Sequence, residues 1–203
     1  MTCYQVFSYT EYMSEKTYHR YLFIITLVYF ISGFINITLA LLALFCMITP
    51  FILVYRNRRL TWCHSVCPRA DYLNKLGLIS FRKTAPKWLV SAKMKRGVLS
   101  YFCMNLMFIG LSTFMVSQGN IPPIDKVRFL MAFEIPWSLP QLWFIEGISD
   151  VLIHFSYRIY SIMFSSTVLG TILAIRYRPR TWCAICPMNT MSADYLKRLK
   201  ASN

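Results

Sequence analysis

Along the chain, long uncharged runs alternate with short segments dense in lysine and arginine. Three runs meet the requirement of about 20 apolar residues for a membrane-spanning helix: Tyr21 to Tyr55, Gly97 to Ser117 and Val151 to Ile175. The first, at 35 residues, is too short for two full spans and a turn, so it reads as one tilted helix or one that projects beyond the bilayer. It is also too long for the core of a signal peptide. Gly33, Asn36 and Pro50 interrupt it, and a broken pair of half-helices is the alternative. The pattern predicts an all-α integral membrane protein of about three transmembrane helices, with residues 1–203 forming a single membrane domain.

Composition agrees, since 56% of the residues are hydrophobic and 16% aromatic, against about 45–50% apolar residues in soluble domains. The net charge of +14 would suit nucleic acid if the basic residues covered a soluble fold. They lie instead between apolar runs, so lipid is the expected partner and nucleic acid is not. Eleven lysines and arginines fall between Arg56 and Arg96, with Asp71 the only acid, and six more follow Ile175. From Gln118 to Asp150, Lys126 and Arg128 face Asp125, Glu134, Glu146 and Asp150. The positive-inside rule puts both basic regions in the cytoplasm, with the N-terminus outside and the C-terminus inside. From Leu76 to Arg96, Ile79, Phe81, Trp88, Leu89 and Val90 alternate with basic residues. That pattern predicts an interfacial amphipathic helix, with a solvated basic loop as the alternative. The outer segment, rich in proline and tryptophan (Pro122, Pro123, Pro136, Pro140, Trp137, Trp143), suits an interfacial or re-entrant element better than a fourth span.

The chemistry lies in an internal repeat. After the first span comes Arg58-Arg59-Leu60-Thr61-Trp62-Cys63-His64-Ser65-Val66-Cys67-Pro68, then Ala70-Asp71-Tyr72-Leu73. After the third comes Arg178-Pro179-Arg180-Thr181-Trp182-Cys183-Ala184-Ile185-Cys186-Pro187, then Ala193-Asp194-Tyr195-Leu196. Both copies, at 61–73 and 181–196, follow a span running outside to inside, so both thiol pairs reach the same membrane face. Cys63, Cys67, Cys183 and Cys186 can thereby converge into a four-thiolate site, the number of ligands a four-iron cluster needs. Tetrahedral zinc uses the same donors, and a closely spaced thiol pair at a membrane surface can exchange disulfides with quinone. The cytoplasmic placement tells against stable disulfides.

Basic residues followed by Cys-x-x-x-Cys-Pro at the cytoplasmic end of a span, with a second Cys-Pro motif later, resemble the membrane iron–sulfur subunits of the NapH and NosR type. The resemblance covers the two motifs and their adjoining spans, roughly a third of the chain. It implies Cys63, Cys67, Cys183 and Cys186 as ligands of one cluster of the 4Fe-4S kind. It also implies quinone-linked electron transfer within a complex of membrane subunits, in the cytoplasmic membrane of a bacterium or archaeon. The second motif departs from the pattern as Cys-x-x-Cys, and the sequence ends at Asn203 without a C-terminal ferredoxin-like domain.

Other candidates are weaker. Cys3, Cys46 and Cys103 lack partners at ligand spacing and read as small hydrophobes. His19 and His154 form an unmatched pair for axial haem ligation. Arg158, four residues after His154 on one helical face, reads as a snorkelling arginine. Trp62 and Trp182 precede the first cysteine of each motif, where interfacial anchoring, cover for a cluster or a quinone pocket are all open. The sequence holds no nucleophile with its base, no phosphate-binding glycine loop and no catalytic carboxylate pair. The chain therefore reads as an electron-transfer subunit and not a stand-alone enzyme, the alternatives being an assembly or scaffold subunit with a structural metal and a thiol–disulfide redox protein.

Overall fold

The computed structural model describes residues 21–81, 83–131, 133–136, 139–142 and 147–201, with all of their side chains except that of His64. This part is mostly helical, and three helical stretches are long and apolar enough to cross a membrane: Ile37–Asn57, Ala92–Ser117 and Asp150–Arg176.

The 21–55 stretch is not one helix. Helix α1 (Leu22–Ile35) ends at Asn36, whose backbone is extended at φ −152° and ψ 124°. The Asn36 carboxamide oxygen accepts from the N–H and the hydroxyl of Thr38 at 2.9 and 2.7 Å. It so caps a 3-10 turn (Ile37–Leu42) that leads into α2 (Ala43–Asn57). The chain reverses there. The Tyr29 hydroxyl donates to the Ala40 carbonyl at 3.3 Å, and at the far end of α1 the Phe23 N–H donates to Asp71, beyond the end of α2. Two helices of opposite direction thus replace the single tilted helix, with Asn36 capping the turn and Gln141 of the outer segment accepting from the Ile37 N–H at 2.7 Å and donating to the Gly33 carbonyl at 3.1 Å. The approach of α1 to the helix that carries Tyr160 needs Gly33, where a Cβ would stand 2.9 Å from Cζ of Tyr160. Leu22 therefore begins at the end of the bundle where α2 finishes. The expected side of the N-terminus concerns residues 1–20, which lie outside the described residues.

Helices α3 (Pro68–Lys75), α4 (Ala92–Ser117) and α5 (Asp150–Arg176) follow. The last two contain the second and third apolar runs and start at serine caps, Ser91 accepting from the Met94 N–H and Ser149 from the Leu152 N–H. Between α3 and α4 the expected interfacial helix is not formed; a 3-10 turn (Leu76–Leu78) gives way to a loop. Pro86 lacks the N–H a helix would use, and the loop spends its own polar groups on the end of α5. The Phe81 N–H donates to the Ile175 carbonyl at 2.9 Å, and the Ser80 hydroxyl donates to that of Tyr177. Leu89 closes the loop over a core of Leu73, Ala174, Trp182 and Ile185.

On the opposite side, β1 (Arg128–Phe129) and β2 (Phe133–Glu134) pair antiparallel, Arg128 opposite Glu134. This hairpin runs back along α5. The Ile124 N–H donates to His154 Nδ1 at 3.2 Å, the Arg128 N–H to Ser161 Oγ at 3.0 Å and the Leu130 N–H to Ser165 Oγ at 2.9 Å. The serines satisfy backbone donors that would be costly to leave unpaired inside a bundle.

Candidate metal centre

Both cysteine motifs turn back into the bundle. After α2 the backbone is left-handed at Arg58 (φ 54°), and a π turn (Trp62–Val66) carries Cys63. Cys67 is extended, and Pro68 opens α3. After α5 a short helix α6 (Thr181–Ile185) carries Cys183, Cys186 turns the chain at ψ 129°, and Pro187 opens α7 (Pro187–Ala201). Proline suits the first position of a helix, where its missing N–H leaves no bond unmade.

The one-residue difference between the motifs is absorbed locally. The Cys67 N–H bonds the Trp62 carbonyl, five residues back, at 2.9 Å, whereas α6 is α-helical. The extra residue widens one turn, and each motif still delivers its second cysteine directly before a helix-opening proline.

The depth of the site follows from what the motifs touch. Arg69 donates to Ser166 Oγ, ten residues before Arg176, or about 15 Å along the helix at 1.5 Å per residue. Leu73 and Trp182 pack at Gly170, where a Cβ would stand 3.3 Å from the indole. Gly77 faces Pro179. Helix α3 therefore runs outward from the level of Ser166, and α7 does the same, with Tyr195 edge-on to Phe51 and the Leu199 carbonyl accepting from Arg58 at 3.3 Å. The motifs are short turns aimed into the bundle, where the sequence predicts loops at the membrane face.

The four sequence-predicted cysteines lie within electrostatic range of Arg69, and Cys63 within range of the other three. Burial pushes the Cys63 thiol well above its ordinary pKa, and Cys186, Cys67 and Cys183 add to the shift. Burial raises Cys67 as well, opposed by Arg69. It pushes Cys183 up to about 11, opposed by Arg180. The first N–H groups of α3, from Arg69 and Ala70, face the Cys67 sulfur and favour its thiolate, though no full capping bond closes. Cys186 is buried, and the other three are half-buried. The six described cysteines are free thiols. Among the described residues no three His, Cys, Asp or Glu side chains are gathered closely enough to chelate a single ion.

The motifs are also tied to one another. Arg180 of the second donates to the Cys63 carbonyl of the first at 2.7 Å, and within the second Asn189 donates to the Cys183 carbonyl at 3.0 Å. Arg69, which the sequence did not single out, reaches from the first motif to Cys186 Sγ of the second at 3.8 Å. Burial works against its charge, but Cys186, Cys67, Cys183 and Cys46 more than offset this and raise its pKa. Its one sequence signal is position, directly after the first Cys-Pro.

The remaining candidates sort by contact. Trp182 is buried in the core beside Cys183 and Cys186 instead of standing at a surface. His154 has both ring nitrogens engaged, with Nδ1 accepting from Ile124 and Nε2 at 3.0 Å from Ser112 Oγ. It pins the outer segment between α4 and α5. His19 and Cys3 lie outside the described residues, and Cys103 is exposed on α4.

No protein-family model matches the chain, and no significant match exists among curated proteins or solved structures.

Proposed function

We propose that the chain is an electron-transfer subunit of a membrane complex, and that Cys63, Cys67, Cys183 and Cys186 hold one iron–sulfur cluster, of the four-iron kind. The observation that supports this reading is that Arg69, next to Cys67 of the first motif, reaches Cys186 Sγ of the second at 3.8 Å, while Arg180 of the second bonds the Cys63 carbonyl of the first, so the two cysteine pairs share one end of the bundle. Soft thiolates in that number suit iron–sulfur clusters and zinc alike. Tetrahedral zinc needs all four sulfurs within about 3.8 Å of one another, given Zn–S bonds of about 2.3 Å. A cluster spreads them over separate irons. Metal analysis separates the two.

Such a cluster supplies one-electron exchange. The chain's own residues hold it by the four thiolates, cover it with Trp182 and offset its negative charge with Arg69, Arg180 and the N-terminal ends of α3 and α7. By the charge of its flanking loops, the end of the bundle carrying Arg56 to Arg96 and Arg176 to Lys200 is cytoplasmic, in a bacterial or archaeal cytoplasmic membrane. The depth of the thiols suits exchange with a lipid-soluble quinol. The Leu130 turn of the outer hairpin, which bonds Ser165 beside Ser166, brings the opposite face close as well.

Anaerobic purification with iron and acid-labile sulfide analysis tests the proposal. Stoichiometric iron and sulfide with a paramagnetic signal on reduction are expected. Stoichiometric zinc without iron overturns it in favour of a structural site. A cluster that neither quinol nor any partner reduces would make the chain a scaffold subunit.

A further inference from the structure

We propose that Arg69 is the positioning residue of the thiol site and the counter-charge that sets its reduction potential. The inference deepens the iron–sulfur reading and rests on it. Three observations converge on Arg69. It sits at the inner end of α3, on the helix that follows Cys67. It is anchored by Ser166 of α5, the helix that leads into the second motif. Its other guanidinium nitrogen faces Cys186 Sγ at 3.8 Å. One side chain therefore joins the first motif, the central helix and the second motif.

The geometry also shows what this charge is for. The ion pairs among the described residues are Arg128 with Glu134 and Lys197 with Asp194, and neither involves Arg69. A cation held inside a bundle without a carboxylate is costly unless an anion faces it, and what faces Arg69 is the Cys186 sulfur, which is anionic once it serves as a metal ligand. Beside it lies a cavity of about 30 Å³, lined by Arg69, Ser166, Trp182, Met47, Met163 and Met188 among others. That is room for about one water. Four thiolates around iron carry net negative charge, and reduction adds one more. A fixed cation at hydrogen-bond range stabilises the reduced form more than the oxidised form and so raises the potential. The planar fork of arginine reaches the hydroxyl and the sulfur together, which a lysine ammonium does less well.

The test uses the full chain with Arg69→Met, Arg69→Lys and Ser166→Ala, purified anaerobically. Each is read by redox titration of the bound cluster and by cadmium(II) binding to the metal-free protein. Arg69→Met is expected to make reduction at least tenfold less favourable, about 59 mV for one electron, and to weaken cadmium binding at least tenfold. Arg69→Lys should restore most of the potential, and Ser166→Ala should shift it the same way by less. Wild-type potential and cadmium affinity in Arg69→Met would overturn the proposal. If Arg69→Met does not accumulate in the membrane, Ser166→Ala decides, and unchanged values there overturn it. If the wild-type chain carries no iron and sulfide, the parent reading fails, and cadmium affinity alone decides the role of Arg69.

Discussion

Cysteine and serine differ little in volume, so exchanging one for the other at a half-buried turn removes a ligand while leaving the turn. Replacing Cys63, Cys67, Cys183 or Cys186 singly by Ser should abolish the cluster, with stability of the metal-free chain changed by no more than about 1 kcal/mol. Cys46→Ala should keep it, because Cys46 approaches the group from α2 and belongs to neither motif. Iron analysis of the five variants checks this, and loss of iron in Cys46→Ala would show a ligand set different from the one proposed. Close packing sets the second residue-scale expectation. A leucine at Gly170 would meet Trp182 at once, since even a Cβ there stands 3.3 Å from the indole. Gly170→Leu should therefore destabilise by about 1–3 kcal/mol, measured by thermal unfolding in detergent. The cysteines were legible in the sequence because a repeat of Thr-Trp-Cys and Cys-Pro has no ordinary explanation. Arg69 was not, because an arginine next to a span reads as a topology signal, and only a fold that turns the motif inward gives it a thiol to face.

At the scale of elements, the expected spans correspond to α4 and α5, whose apolar runs are bounded by charge on at least one side and by serine caps. What stayed hidden was direction. Hydropathy sums residues, and the run from Tyr21 to Tyr55 sums the same whether it continues or turns back at Asn36. Asn36→Leu removes the acceptor that caps the 3-10 turn. It should cost about 1 kcal/mol and loosen the hairpin, seen as a falling pairing yield between cysteines introduced at Tyr29 and Ala40. The π turn offers a sharper test. Deleting Ser65 leaves Cys-x-x-Cys, the spacing of the second motif, and should convert the turn to the α-helical form of α6 while keeping the cluster. Loss of iron in that deletion, alongside a folded chain, would mean that the widened turn itself shapes the first motif's ligands.

For the whole molecule, depth is the property that links fold to function. Both cysteine motifs enter from one end and the β1–β2 hairpin from the other, and they meet α5 at Ser166 and Ser165, on adjacent residues. Irregular backbone inside a membrane is tolerated where protein surrounds it, and α5 is the helix that both sets of turns contact. A site at that level lies between the two sets of turns, where burial raises the Cys63, Cys67 and Cys183 thiols. The consequence is measurable in sealed vesicles of both orientations, using a charged, membrane-impermeant maleimide and mass analysis of the labelled peptides. A cysteine introduced at exposed Lys87 should label from one side only, and one at exposed Gln118 from the opposite side only. In the metal-free protein, Cys186, only 8% exposed, should label from neither side until denaturant opens the bundle. Rapid labelling of Cys186 from the Lys87 side would place the thiols at a membrane face, as the sequence alone predicts, and would remove the argument for direct access by a lipid-soluble quinol.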